Sequence, residues 1–185
     1  MERRTARRVH ILGGSGSGTT TLGAALGRAF AVPHFDTDAF FWIPTDPPFL
    51  QIRAVEQRTQ MLTEALDSAP EWVLSGSLDG WGDFSIPRFT CVVHLTLSAD
   101  ERMARLRRRE STRHGSRIQL GGDMHQEHLK FLAWAEQYDT SRLDMRTQAR
   151  HERWLRHLPC PVLHLDSDRP VTAMVAEVDK VFSAP

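Results

Sequence analysis

Short apolar runs alternate along this chain with longer stretches of helical period. Val9-His10-Ile11-Leu12 predicts a buried strand at about 8–12, and TTTLGAALGRAF sets Leu22, Leu26 and Phe30 at helical spacing over about 19–30. A second strand is expected at 32–36, ending in HFDTD, and WIPTDPPF, with Pro44, Pro47 and Pro48, must be a loop. Residues 52–68 read as a helix with Val55, Met61, Leu62, Ala65 and Leu66 on its apolar face. EWVLSGS reads as a third strand entering a glycine-containing loop. FTCVVHLTL, 89–97, is nearly all apolar or β-branched, as in a strand covered on both faces. An arginine-dense helix is expected from Ser98, then an irregular patch at 111–125 and helices at about 125–138 and 140–157. A last strand, 160–165, precedes a closing helix near Pro170. Five strands separated by helices predict a three-layer α/β/α architecture around a five-stranded parallel sheet.

Between the first strand and first helix lies GGSGSGTT, residues 13–20. It fits the phosphate-binding pattern G-x-x-x-x-G-K-[ST] at every fixed position except one, since Thr19 stands where the lysine belongs. Strand, glycine loop, helix is the order that pattern requires. The expectation is that Gly13, Gly14, Ser15, Gly16, Ser17, Gly18, Thr19 and Thr20 wrap a nucleotide phosphate, and that Thr20 offers its hydroxyl to Mg²⁺. A dinucleotide-binding G-x-G-x-x-G starting at Gly14 would need glycine at position 19, which Thr19 denies it.

Composition narrows the class. At 185 residues with 41% hydrophobic content, one compact domain spanning 1–185 is expected, with no room for a second full one. Lys+Arg and Asp+Glu both number 23, so charge makes no case for nucleic-acid or membrane partners. Lys130 and Lys180 are the only lysines, and neither is near the loop in sequence. Cys91 and Cys160 lie in apolar stretches without metal-type spacing and read as buried thiols of a reducing compartment. The basic start, with Arg3, Arg4, Arg7 and Arg8, has too few apolar residues behind it for a secretory core or a membrane span. It reads as a solvated tail of a cytoplasmic protein.

In parallel sheets the ligand sits beyond the carboxyl ends of the strands, which gathers several motifs into one site. Asp36 and Asp38 follow the second strand, where a carboxylate can hold Mg²⁺ or accept a proton from a substrate hydroxyl. Asp38 also reads as a helix cap. Ser75-Gly76-Ser77, then Asp79 and Asp83, follow the third strand. Arg102, Arg105 and Arg109 share one helix face, and with Arg113 and Arg117 they form a group suited to phosphate contact. His114, His125 and His128 read as ordinary polar surface. Arg53 and Arg58 could reach an acidic acceptor, and Trp42, Phe41 and Phe49 serve either as a stacking surface or as core.

These motifs in this order resemble the P-loop kinases of small molecules: nucleoside monophosphate kinases and, in the DTD, shikimate kinases. From Val9 to Asp166 the chain is similar to uncharacterised bacterial adenylate-kinase-like proteins with a GSGTTTLG loop, a WVLSGS strand and a GGDM lid. The resemblance implies a P-loop NTPase fold with a substrate-binding segment at about 40–70 and a small helical, arginine-rich lid at about 109–125. It implies ATP and Mg²⁺ as cofactors, a small-molecule or nucleotide acceptor, and a metal site at Thr20 and Asp36. Asp36 and Asp38 would face metal or acceptor, with Arg109, Arg113, Arg117 and Arg142 clamping the transferring phosphoryl group. The sequence lacks the DGFPR-type stretch of adenylate kinases. Three readings stay open: a kinase using lid arginines in place of the missing lysine, a nucleotide-binding regulator without transfer, and an NAD-type oxidoreductase. For the last, Tyr138 is followed by Arg142 where lysine is needed.

Overall fold

The structure, a computed structural model, describes residues 5–141 and 146–183. Its main sheet contains β1 (Arg8–Gly13), β2 (His34–Asp36), β5 (Trp72–Ser75), β6 (Cys91–Thr96) and β7 (Val162–Asp166). They run in the order β2-β5-β1-β6-β7 and every pairing is parallel. A two-stranded antiparallel ribbon, β3 (Trp42–Ile43) and β4 (Gln51–Ile52), closes the proline loop on itself. The expected five-stranded parallel sheet is therefore present.

Helices cover both faces. Leu22, Leu26 and Phe30 of α1 (Thr19–Phe30) pack with Met174, Val178 and Phe182 of α7 (Val171–Ser183) against Val9, Ile11, Val73 and Val93. On the other face, Leu62 and Leu66 of α3 (Val55–Asp67) and Leu155 of α6 (Gln148–Leu155) meet Leu12, Trp72, Leu74 and Val92. Burial of each such side chain is worth about 1.5–3 kcal/mol, which explains why the strands read as continuous apolar runs. Among the described residues, no helix is long and apolar enough to cross a membrane.

Several boundaries differ from the sequence reading. In α3, Val55 and Met61 face solvent, and Arg58 joins Leu62 and Leu66 on the buried side. The reason is aromatic: the Arg58 guanidinium lies 4.5 Å from the Phe41 ring centroid and 5.2 Å from that of Trp81. Residues 111–125 are more regular than expected, because α4 (Ala99–His114) continues to His114 before a short 3-10 turn, Gly115–Ile118. α5 spans His125–Glu136, and α6 begins only at Gln148. Arg7 and Arg8 are no solvated tail. Arg8 opens β1, and Arg7 pairs with Asp179 at 2.9 Å while lying over Phe30. Arg3, Arg4 and Arg142 lie outside the described residues.

α4 starts at a side-chain cap: Ser98 Oγ accepts the Glu101 N–H at 3.3 Å. Ser98→Ala is expected to cost about 1 kcal/mol of unfolding free energy, read as a lower urea midpoint at unchanged slope.

Candidate functional site

The carboxyl ends of β1, β2 and β5 lie side by side, with Asp36 in register with Ser75 and Ser75 with Ile11. Residues 13–18 leave the end of β1 and turn back into α1. Gly16, at φ 89°, has the Arg102 carbonyl oxygen 2.4 Å from where a Cβ would stand, so only glycine fits there. The Ser17 N–H closes the turn on the Gly14 carbonyl at 3.0 Å. The Ser17 hydroxyl is buried and has no partner. A turn of backbone N–H groups ahead of a twelve-residue helix, with an unpartnered donor inside it, fits a phosphate.

Asp36 faces the first turn of that helix. Its Oδ2 accepts the Thr20 hydroxyl at 2.7 Å, and its Oδ1 accepts the Asp38 N–H at 3.1 Å. Asp36 thereby caps α2 (Thr37–Phe41), so the cap expected at Asp38 falls two residues earlier. A hydroxyl beside a carboxylate is a hard oxygen donor set, which fits Mg²⁺. Burial, then the neighbouring Asp36 charge, pushes the Asp38 carboxyl above its usual range, against the pull of Arg146 and Arg109.

Two arginines touch the loop through Ser15: Arg102, one of the group the sequence singled out, and Arg146, which it did not. Arg146 Nη2 donates to Ser15 Oγ at 2.9 Å, its guanidinium lies 4.7 Å from the Trp134 ring centroid, and its Nε is enclosed without a partner. Arg102 is 1% exposed. It donates to the Ser15 carbonyl at 2.9 Å, pairs with Asp139 and lies over Tyr138. Of the expected lid group, Arg109 is within electrostatic reach of Asp38 and pairs with Glu110 at 3.0 Å. Arg113 is exposed. Arg117 is clasped by Asp123 at 2.6 Å and Asp46 at 2.7 Å, tying the lid to the proline loop. Hydrogen bonding to Asp123, then to Asp46, holds the Arg117 guanidinium above its ordinary value.

The other candidates sort by what they touch. Asp79 pairs with Arg150 at 2.7 Å, and Asp83 accepts the Trp154 indole N–H at 2.9 Å, so both fasten α6 to the loop after β5. Arg53 donates to the Phe40 and Trp42 carbonyls and shapes the proline loop. Phe41 packs on the core, whereas Phe49 is 48% exposed. Arg105 donates to the Ser167 carbonyl at 3.1 Å. Tyr138 is buried against Gly14 with its hydroxyl 2.9 Å from His151 Nδ1, and with Gly14, Arg102 and Asp139 it lines a cavity behind the loop. His114 sits 3.7 Å from Glu110, and no group of three metal-ligating side chains occurs among the described residues. Both cysteines are free, and burial raises the Cys91 thiol to about 12.

No family profile matches the chain. Among solved structures it is similar to shikimate kinase from Acinetobacter baumannii in complex with shikimate, with TM-score 0.56 and 14% identity over 98% of this chain and 95% of that one. Shikimate kinase from Bacteroides thetaiotaomicron gives TM-score 0.55 and 18% identity over 96% and 98%. At such identities the likeness is one of fold, and the fold is that of the P-loop NTPases, shikimate-kinase-like in topology. In sequence, the chain is 39% identical over 172 residues to the uncharacterized protein YqaC of Bacillus subtilis (strain 168), covering 93% of this chain and 95% of that protein. The chain belongs to the YqaC family.

Proposed function

We propose that this protein binds ATP with Mg²⁺ and moves the γ-phosphate to a small-molecule or nucleotide acceptor. One observation carries the reading: the glycine turn, the Thr20–Asp36 pair and the Arg146 guanidinium meet at a single sheet edge. Residues 13–20 hold the phosphates, and Thr20 with Asp36 holds the metal, which when bound would neutralise charge on the phosphate oxygens. Asp38, with its raised affinity for protons, is placed to accept one from an acceptor hydroxyl. Arg146 supplies the charge that Thr19 does not. Arg109 and Arg113 add to it from the lid, and Arg117 joins them once it leaves Asp46. The acceptor sits between the proline loop, α3 and Trp81. Free thiols and a need for ATP suit a cytoplasmic setting.

A second reading is favoured by Thr19 itself: a protein that binds nucleotide and transfers nothing. Calorimetric titration with ATP, with and without Mg²⁺, followed by an ADP-release screen across acceptors, separates the two. The expected result is Mg²⁺-dependent micromolar binding and ADP formation with at least one acceptor class. Binding without ADP formation selects the second reading, and absence of binding sinks both.

A further inference from the structure

The ring of His34 has no part in the reading above, yet α1 is shaped around it. His34 and Asp36 are two residues apart on β2 and therefore project from the same face of the sheet. His34 Nε2 lies 2.8 Å from the hydroxyl of the fully buried Ser75. That hydroxyl lies 3.4 Å from Asp36 Oδ2, the oxygen that also accepts from Thr20. A Cβ at Gly23 would stand 2.3 Å from His34 Nε2, and one at Gly27 would stand 3.0 Å from His34 Cβ. Each glycine inside a helix costs about 1 kcal/mol relative to alanine. α1 therefore gives up helix stability at two places to seat one imidazole.

Donor and acceptor roles give the chain of contacts a direction. A carboxylate only accepts, so Ser75 donates its proton to Asp36 and turns a lone pair toward His34. The imidazole then carries its proton on Nε2 and donates to Ser75. With Ser75 so oriented, Asp36 Oδ2 has two donors and Oδ1 a third, and the carboxylate plane is fixed toward Thr20.

We propose that His34 is a positioning residue which, acting through Ser75, fixes the Asp36 carboxylate in the orientation that a metal-bound nucleotide requires. The inference rests on the assignment of Thr20 and Asp36 to Mg²⁺. It adds a partner from outside the ligand set, of the kind whose loss typically weakens metal affinity by about 10-fold or more.

The test is calorimetric titration of the whole protein with ATP, with and without MgCl₂. His34→Gln keeps an N–H donor near the Nε2 position, His34→Phe keeps the ring volume without the donor, and Ser75→Ala breaks the link. The gain in ATP affinity on adding Mg²⁺ is expected to survive in His34→Gln and to shrink about 10-fold in His34→Phe and Ser75→Ala. Metal-free ATP affinity should stay within about twofold of wild type throughout. Ligand-free melting curves establish that each variant is folded, and Ser75→Ala carries the test if His34→Phe is not. An undiminished Mg²⁺ gain in the folded variants overturns the proposal, as does a parallel loss of metal-free binding, which marks His34 as packing only. Absence of a Mg²⁺ gain in wild type overturns the metal assignment beneath it and the proposal with it.

Discussion

Arg146→Met is expected to lower ATP turnover by about two to three decades, equivalent to about 3–4 kcal/mol of barrier. A phosphoryl-transfer site works by placing charge around the transferred group, and a loop with Thr19 at the lysine position has lost its own cation. Arg146 reaches that loop through Ser15 Oγ, and among the described residues it forms no ion pair. Burial pushes its guanidinium below the usual value, with Asp38 first among the groups that oppose the shift. Methionine keeps an unbranched side chain beside Trp134 while removing the guanidinium and its charge, so a modest change in melting temperature should accompany a large change in kcat/KM. Arg102 is the informative contrast. It is fully enclosed and binds Ser15, Ala135 and Asp139, so Arg102→Met is expected to destabilise the fold before it disables the site. Adding Thr19→Lys to Arg146→Met should return part of the lost rate if both cations serve the same phosphate. Unchanged turnover in Arg146→Met would assign the missing charge to the lid arginines instead.

Which parts of this site the sequence disclosed follows from how far apart the contacting residues are. The turn at residues 13–18 and the helix after it are local: glycine spacing, a β-branched run and a helical period lie within two dozen residues. Thr20, Asp36 and Ser75 were legible as a group because the parallel-sheet rule sends the ends of alternating strands to one edge. Arg146 was not, since it lies 131 residues from Ser15 and no local pattern marks it among so many arginines. The Arg117 clasp depends on Asp46, a residue hidden in a proline loop that reads only as a turn. α3 failed for a different reason. A helical wheel ranks Val55 and Met61 above Arg58, but Phe41 and Trp81 supply ring faces that bury the cation and leave the two aliphatic residues in water. His34 gave a faint signal. Two glycines four apart inside a helix, Gly23 and Gly27, indicate something pressed against it, although not what.

Lowering the pH from 7 to 5 is expected to remove several kcal/mol of stability, because three buried histidines are native only when neutral. His10 and His94 are held down to about 4 and His151 to about 3, against an ordinary 6.5. Burial is the leading cause for all three. The neighbouring Arg146 adds to it at His151, and His164 adds to it at His94. The packing leaves no room for extra charge. His10 stacks on Phe89 at 5.0 Å with its Nδ1 on the Leu74 carbonyl and its Nε2 enclosed without a partner. His94 and His164 face each other through their Nδ1 atoms at 3.4 Å, an arrangement in which one nitrogen must accept. Above pH 6.5 the folded and unfolded chains are both unprotonated at these rings, and they add no pH dependence. Below 6.5 the unfolded chain takes up protons that the native chain refuses until pH reaches about 4. Stability therefore falls as pH falls, by about 1.4 kcal/mol per pH unit for each ring, or about 4 for three acting together. Proton uptake by native Asp38, whose affinity is raised, offsets a part of this toward the acid end. By pH 5 the loss reaches about 6 kcal/mol, enough to unfold a chain at the low end of the typical range of about 5–15 kcal/mol. Urea midpoints at pH 7, 6, 5.5 and 5 measure the slope, and His10→Phe should flatten it by about a third. An equal slope in that variant would move the acid sensitivity to the surface carboxylates. Because native His151 takes up its proton only near pH 3, the Tyr138 packing behind Gly14 should persist as long as the fold does, and nucleotide binding is expected to be lost with the fold and not before it.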